Sequence, residues 1–215
     1  MDGLRANAKA VAERERDAFL VTSRLLMVGA ANQDIRNLTS KCGDVLQTGF
    51  AGYNPVVNFV RTEATGKVRC SILPFREGHS FAGEVWWERT KLAKAITVSQ
   101  PTTGTVSGVP VIVMALPVKD TAGNFAGTFS AGIGISKLAK SIATAPESKT
   151  GSIAVISKND ELVASSGQAI PFDLPADLRN GMAGIAKSPS GEKWLYNVVS
   201  ISGDELHVVY AEPRS

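Results

Sequence analysis

The sequence predicts an α+β protein with one long N-terminal helix followed by two antiparallel-sheet lobes, the second smaller than the first. Three observations carry that prediction. Apolar residues recur at 3–4 spacing through Leu4, Ala8, Val11, Ala12, Phe19, Leu25 and Leu26, the period of a helix with one buried face. From Val56 onward the period becomes two, which puts alternate side chains on opposite faces of a sheet. The alternation lapses at Ala145-Pro146-Glu147-Ser148-Lys149-Thr150 and restarts at Gly151, so that proline-bearing stretch is the expected lobe boundary. The expected organisation is a helical stalk over residues 1–55, a first lobe over 56–146 and a second over 147–215.

Taken in order, residues 4–28 form a helix about 35–40 Å long at about 1.5 Å per residue, with Arg14, Glu15, Arg16 and Asp17 on its solvated side. Gly29-Ala30-Ala31-Asn32 is expected to break it, and a second helix over 33–48 carries Ile35, Leu38, Cys42, Val45 and Leu46 on one face. Strands over 56–61 and 68–73 flank a hairpin turn at 62–67, where Gly66 suits a positive φ. Arg61 reads as a solubilising residue of an edge strand.

Residues 80–94 read as a helix, with Ser80 as N-cap and Phe81, Val85, Trp86, Arg89 and Leu92 at helical spacing. A short strand over 95–99 and a threonine-rich loop over 101–108 lead into 111–116, an apolar run suited to a sheet interior. The turn at 119–124 returns the chain through 125–135. One face of that strand carries Phe129, Ala131 and Ile133, and the other Thr128, Ser130 and Gly132, whose small size leaves room beside them. Ser136 caps a helix to about residue 144. In the second lobe, strands are expected at 152–157, 162–165, 193–200 and 205–210, with a loop and short helix over 171–182 and a turn at 201–204.

Strand, strand, helix, strand, strand makes one sheet with a helix laid over it, and a concave pocket is expected beneath that helix. Its candidate lining is Glu84, Trp86 and Trp87 from the helix, Arg61, Ser99, Gln100 and Met114 from the nearby strands, and Ser130 and Gly132 from the strand with the small-residue face. Adjacent helix positions diverge by about 100°, so one of the two tryptophans is expected in the core and not facing the sheet with the other.

Composition narrows the function. The chain has 215 residues, and its 23 basic and 20 acidic residues are interspersed, unlike the concentrated positive face of a nucleic-acid binder. Two cysteines and two histidines are too few and too far apart for a zinc site. No cofactor motif, phosphate loop or nucleophile elbow occurs, so an enzyme is not expected. No apolar run reaches the roughly 18 residues that cross a bilayer, and the first residues lack a signal-peptide core. Both ends are expected to be cut from a longer protein. Cys42 and Cys70 read equally as two buried thiols or as a disulfide, which would contribute about 3 kcal/mol and imply an oxidising compartment.

The run Thr65-Gly66-Lys67-Val68-Arg69-Cys70-Ser71, the pair Trp86-Trp87 and the strand end Ala115-Leu116-Pro117-Val118-Lys119-Asp120-Thr121-Ala122-Gly123 together resemble the double Cache sensor family, whose two lobes have PAS-like sheets. The resemblance covers nearly the whole chain, the second lobe least well. It implies the periplasmic sensor domain of an inner-membrane receptor, such as a histidine kinase, diguanylate cyclase or chemoreceptor, dimeric through the N-terminal helix. It implies a Cys42–Cys70 bridge and a small-molecule pocket in the first, membrane-distal lobe.

In members that bind free amino acids, an arginine holds the carboxylate two residues before the first aromatic of the pair, and a return-strand aspartate holds the ammonium. Those positions are Glu84 and about Gly132 here. A carboxylate ligand would meet a like charge, so a cationic or neutral ligand against Glu84 and the tryptophans is expected in place of a standard amino acid. The alternatives are a protein-interaction module of the same fold without a ligand, and a cytosolic PAS or GAF sensor.

Overall fold

The computed structural model describes residues 2–149, 151–166, 169–175, 178–202 and 205–214. It is α+β and divides into two compact units, Leu20–Gly134 and a second made of Met1–Phe19 with Ile135–Ser215. Helix α1 (Asp2–Ala31) contributes residues to both. Its buried positions Leu4, Ala8, Val11, Glu15, Phe19, Thr22 and Leu26 recur every three or four residues, as the sequence predicts. Glu15 is the exception to the expected solvated side, because it continues that buried stripe. Gly29 does not break the helix. A Cβ there would lie 2.8 Å from Cζ of Phe129, so glycine permits the close approach of helix and ring.

In the central unit, the expected helix over 33–48 is two helices, α2 (Gln33–Arg36) and α3 (Cys42–Phe50). Leu38 at φ 55° turns the chain between them. Asn32 caps α2, its Oδ1 accepting the N–H groups of Asp34 and Ile35. Next come β1 (Val56–Thr62), β2 (Val68–Ser71), α4 (Val85–Leu92), β3 (Thr97–Val98), β4 (Thr102–Thr103), β5 (Pro110–Lys119) and β6 (Phe125–Gly134). The strands order as β2-β1-β6-β5-β3 in one antiparallel sheet, with β4 also paired to β5. The hairpin turns at Gly66 with φ 90°, and Asp120 holds the β5–β6 turn by accepting the amide N–H groups of Asn124 and Ala122.

One sheet face is aromatic: Phe59 stacks on Phe129 at 5.8 Å, and Phe50 meets Phe59 edge-on at 5.2 Å. A disulfide joins Cys42 of α3 to Cys70 of β2, with Cα atoms 5.9 Å apart. Arg61 corrects the edge-strand expectation. β1 lies between β2 and β6, and Arg61 is fully buried on the aromatic face. Its Nε donates to the Ile35 carbonyl at 3.1 Å and Nη2 to the Arg36 carbonyl at 3.0 Å. Nη1 donates to the carbonyls of Ala126, at 3.0 Å, and Thr62. Burial pulls the guanidinium down to about 10, so it is still positive at neutral pH.

The second unit joins the first turns of α1 to α5 (Ile135–Ala143), a 3-10 turn (Pro146–Lys149) and strands β7 (Ser152–Ser157), β8 (Leu162–Ser165), β9 (Ala183–Lys187), β10 (Lys193–Ser202) and β11 (Leu206–Pro213). Thr150 of the expected boundary, and Gly203 and Asp204 of the expected turn, lie outside the described residues. The sheet order is β8-β7-β11-β10-β9, the order of the central sheet repeated strand for strand. β9 was not predicted. Its residues are exposed or half-buried, so no apolar alternation marks this edge strand. The short helix expected over 171–182 is absent among the described residues.

Candidate functional site

The side chains on the second face of the central sheet follow from strand register. Ser130 sits opposite Val60 on β1, and Gly132 opposite Val113 on β5. These four therefore share a face, which Trp86 and Phe81 cover. Between them is a half-open hollow of about 40 Å³, room for about three waters. Its floor is Val60, Val111, Val113, Ser130 and Gly132, its wall Phe81 and Trp86, and its rim Glu84 and the segment from Thr102 to Ser107. A second hollow of about 290 Å³ shares Glu84, Trp86 and Thr102 with it and adds Arg89, Ser99 and Gln100.

Local chemistry shapes the cover. α4 is shorter than the expected 80–94. Ser80 is not its N-cap but bridges Lys67, and Gly83 at φ 88° turns the chain before the first helical residue, Val85. Glu84 takes the cap position with extended backbone and makes no side-chain hydrogen bond to the helix. Val85 and Leu92, expected on the buried face, are 84% and 85% exposed.

Both tryptophans are buried instead, splayed to either side. Trp86 meets Phe81 edge-on at 5.0 Å over the hollow. Trp87 packs against Phe125 at 5.7 Å, and its Nε1 donates to Thr62 Oγ1 at 3.3 Å. The expectation that only one faces the sheet does not hold, because a two-turn helix lying along the sheet presents adjacent positions to different strands.

The other rim segment is tied down at several points. Gly104 N–H donates to the Val109 carbonyl at 2.9 Å, and His79 Nε2 lies 3.0 Å from Thr105 Oγ1. Asn58 borders the hollow, but its amide is engaged with Ser71, and its Oδ1 accepts the Leu73 N–H. Glu84 is the sole ionisable residue among the described lining of the smaller hollow, and Arg89 joins it in the larger. Among the described residues no cluster of His, Cys, Asp or Glu could hold a metal ion.

Solved structures with this architecture include the extracellular domain of rpHK1S-Z16, assigned as a histidine kinase (TM-score 0.83, 15% identity, 99% of this chain and 94% of that one). The ligand-binding domain of the Pseudomonas fluorescens chemoreceptor CtaA, in complex with L-serine, matches with TM-score 0.78 and 14% identity over 99% of this chain and 96% of that one. That of the Pseudomonas aeruginosa amino acid chemoreceptor PctC, in complex with GABA, gives 0.74 and 13% over 98% of each.

The fold is that of the double Cache sensor domains. No protein-family model and no curated relative matches the sequence. At these identities the likeness establishes architecture, on which many sites can be built.

Within this double Cache fold, Glu84, Trp86, Ser130 and Gly132 border the smaller hollow, and Ser99 and Gln100 the adjacent one. Ser99 Oγ is already engaged, accepting the Val113 N–H at 2.8 Å and donating to the Gln100 carbonyl. Three candidates lie elsewhere. Met114 is one step out of phase with Val113 and points to the opposite face, Arg61 is buried on that same opposite face, and Trp87 lies over the Thr62 end of β1. Val60, Val111, Val113 and Phe81 are lining residues that no candidate list from the sequence contained. The period-two register from Ser130 and Gly132 was the signal that could have found the valines.

Among the described residues no helix is long and apolar enough to cross a membrane.

Proposed function

We propose that this chain is the extracytoplasmic sensor domain of a bacterial membrane receptor, and that it binds a small neutral or cationic molecule, not a free α-amino acid, beneath α4. The observation that carries the ligand class is the pairing of Glu84 at the rim with Gly132 on the floor. The two positions where the resemblance places a cation and an anion for amino acids hold an anion and no side chain. CtaA and PctC are complexed with L-serine and GABA. A carboxylate entering this hollow would face Glu84 with no cation on the floor to offset it.

Trp86 and Phe81 supply the aromatic wall that a cation or an apolar body packs against. A ligand of more than a few atoms either extends from the smaller hollow into the adjoining one or shifts residues 101–109, releasing the contact of His79 with Thr105. It acts as a signal through its difference in affinity between the shifted and unshifted states. The receptor works as a dimer through α1.

A thermal-shift screen of amines, polyols and L-amino acids tests the reading. Stabilisation by amines that is lost in Glu84→Gln and Trp86→Ala supports it, and stabilisation by L-amino acids refutes the ligand class. The small volume of the hollow favours a second reading, a ligand-free interaction module. A flat screen together with a clearly lowered unfolding temperature in Trp86→Ala, the mark of a solid core beneath α4, would establish that one.

A further inference from the structure

We propose a second small-molecule site, in the unit formed by Met1–Phe19 and Ile135–Ser215, that takes an apolar molecule carrying a positively charged group. It goes beyond the reading above and does not depend on it.

The repeated sheet order is the starting point. β7 and β8 occupy in their sheet the places that β1 and β2 occupy in theirs, and β11 stands where β6 does. The hollow beneath Trp86 lies where the chain passes back over the sheet after the β1–β2 hairpin. After the β7–β8 hairpin the chain again passes over the same face. There Phe172 and Leu178 pack on Ala154 and Ile156 of β7 and on Trp194 and Tyr196 of β10.

That cover does not fill the space. A half-open cavity of about 420 Å³ remains over β7 and β8, about ten times the volume of the hollow under Trp86 and within the roughly 300–1,000 Å³ of small-molecule sites. Its walls include Ile156, Leu162, Phe172 and Leu178, and its charged lining residues are Asp160 and Asp173. Among the described lining residues none is basic. Leu162, a lining residue, is 61% exposed, so an apolar guest would cover it. Asp160 stands in the β7–β8 turn at φ 61°, with its N–H on the Ser157 carbonyl at 3.0 Å, which fixes the backbone from which its side chain lines the cavity. Apolar walls that include two carboxylates select an apolar body that leaves water and carries a cationic head to pair with them.

The test is an isotope-edited nuclear magnetic resonance titration of the whole chain with phenethylamine, and with hydrocinnamate as the negatively charged counterpart of similar shape. Saturable shifts of the Ile156 and Leu162 methyls are expected with the amine and not with the acid. Asp160→Asn with Asp173→Asn is expected to weaken the amine about fivefold, and asparagine tolerates the positive φ at position 160. Ala154→Leu, which fills the cavity from its floor, is expected to abolish the shifts.

Unmoved Ile156 and Leu162 methyls, equal shifts with hydrocinnamate, or binding unaffected by both sets of substitutions would overturn the proposal. Trp86→Ala separates the two sites. Shifts that persist in it assign the amine to the second cavity, and shifts that vanish place it under α4 and count against this proposal.

Discussion

The Nε of Arg61 donates to the carbonyl of Ile35 across 3.1 Å, so a strand in the sheet interior holds the end of a one-turn helix. The carbonyls at a helix end have no partner within the helix, and here one guanidinium serves those of Ile35 and Arg36 together with two from the ends of β1 and β6. Removing it leaves buried acceptors unsatisfied. Arg61→Met is expected to cost about 3–5 kcal/mol, measured by urea unfolding. Arg61→Lys is expected to recover only part of that, since a single ammonium cannot reach all four carbonyls.

Two glycines on β6 should respond oppositely to a methyl group. Gly127 has φ 109°, and a Cβ there would lie 2.7 Å from Nη1 of Arg61, with the Thr62 carbonyl closer still. Gly132 would meet Val111 and Val57 at 3.5 Å, ordinary contact. Gly127→Ala is expected to destabilise by about 2 kcal/mol or more and Gly132→Ala by less than about 1 kcal/mol. Only the second should shrink the hollow and weaken any ligand there. Thermal unfolding and titration of the two variants read this directly.

Burial raises the carboxyl of Glu15 above its ordinary value, against smaller lowering by the Ser141 hydroxyl, which donates to it at 2.9 Å, and by Arg14. The folded unit thus holds this proton more tightly than the unfolded chain does. The stabilisation is complete below the unfolded carboxyl range and is lost as pH rises through the elevated folded value. Protection of the α5 amides, taken as their exchange relative to the intrinsic rate at each pH, should therefore rise on mild acidification from neutral pH. Glu15→Gln should remove that dependence and slow exchange at neutral pH.

The Cys42–Cys70 disulfide ties α3 to β2 across 28 positions of sequence. Cys42→Ser with Cys70→Ser is expected to lower stability by about 3 kcal/mol. Denaturant midpoints with and without reductant check it, and the double variant should be indifferent to reductant.

On α1, Leu20, Val21, Met27 and Val28 are 47%, 36%, 53% and 65% exposed. They form two heptad-spaced pairs on one stripe, the pattern by which helices associate. With the dimer proposed above, Met27→Glu combined with Val28→Glu is expected to weaken self-association at least about tenfold, or 1.4 kcal/mol, by sedimentation equilibrium. An unchanged association constant would remove α1 from the interface.

Much of the architecture was legible because it is periodic. The stripe from Leu4 to Leu26, the alternation in β1 and β6, the apolar run of β5 and the glycine at position 66 each follow from one local rule, and the structure keeps them. What was illegible depends on partners distant in sequence. Arg61 reads as a surface charge until carbonyls from residues 35 and 36 surround it, and Glu15 as a solvated one until α5 covers it. Val85 and Leu92 have helical spacing without a neighbour to bury them, whereas β9 is a strand made by its partner β10 and not by its own pattern. In the hollow, Ser130 and Gly132 were readable as small residues on one face. Met114 was misplaced because a strand apolar on both faces gives no sign of which side each residue takes.

The Leu20–Gly134 unit is continuous in the chain, but the other unit needs the first turns of α1 as well as everything after Gly134. Its last strand, β11, lies between β7 and β10, in the middle of the sheet. The strands of the central sheet are therefore complete in sequence before those of the other sheet, and the amphipathic start of α1 must wait, uncovered, until β11 is available. Losing β11 would remove the spine of that sheet and not its fringe, so a lesion in this one strand should cost the unit more than the loss of either edge strand.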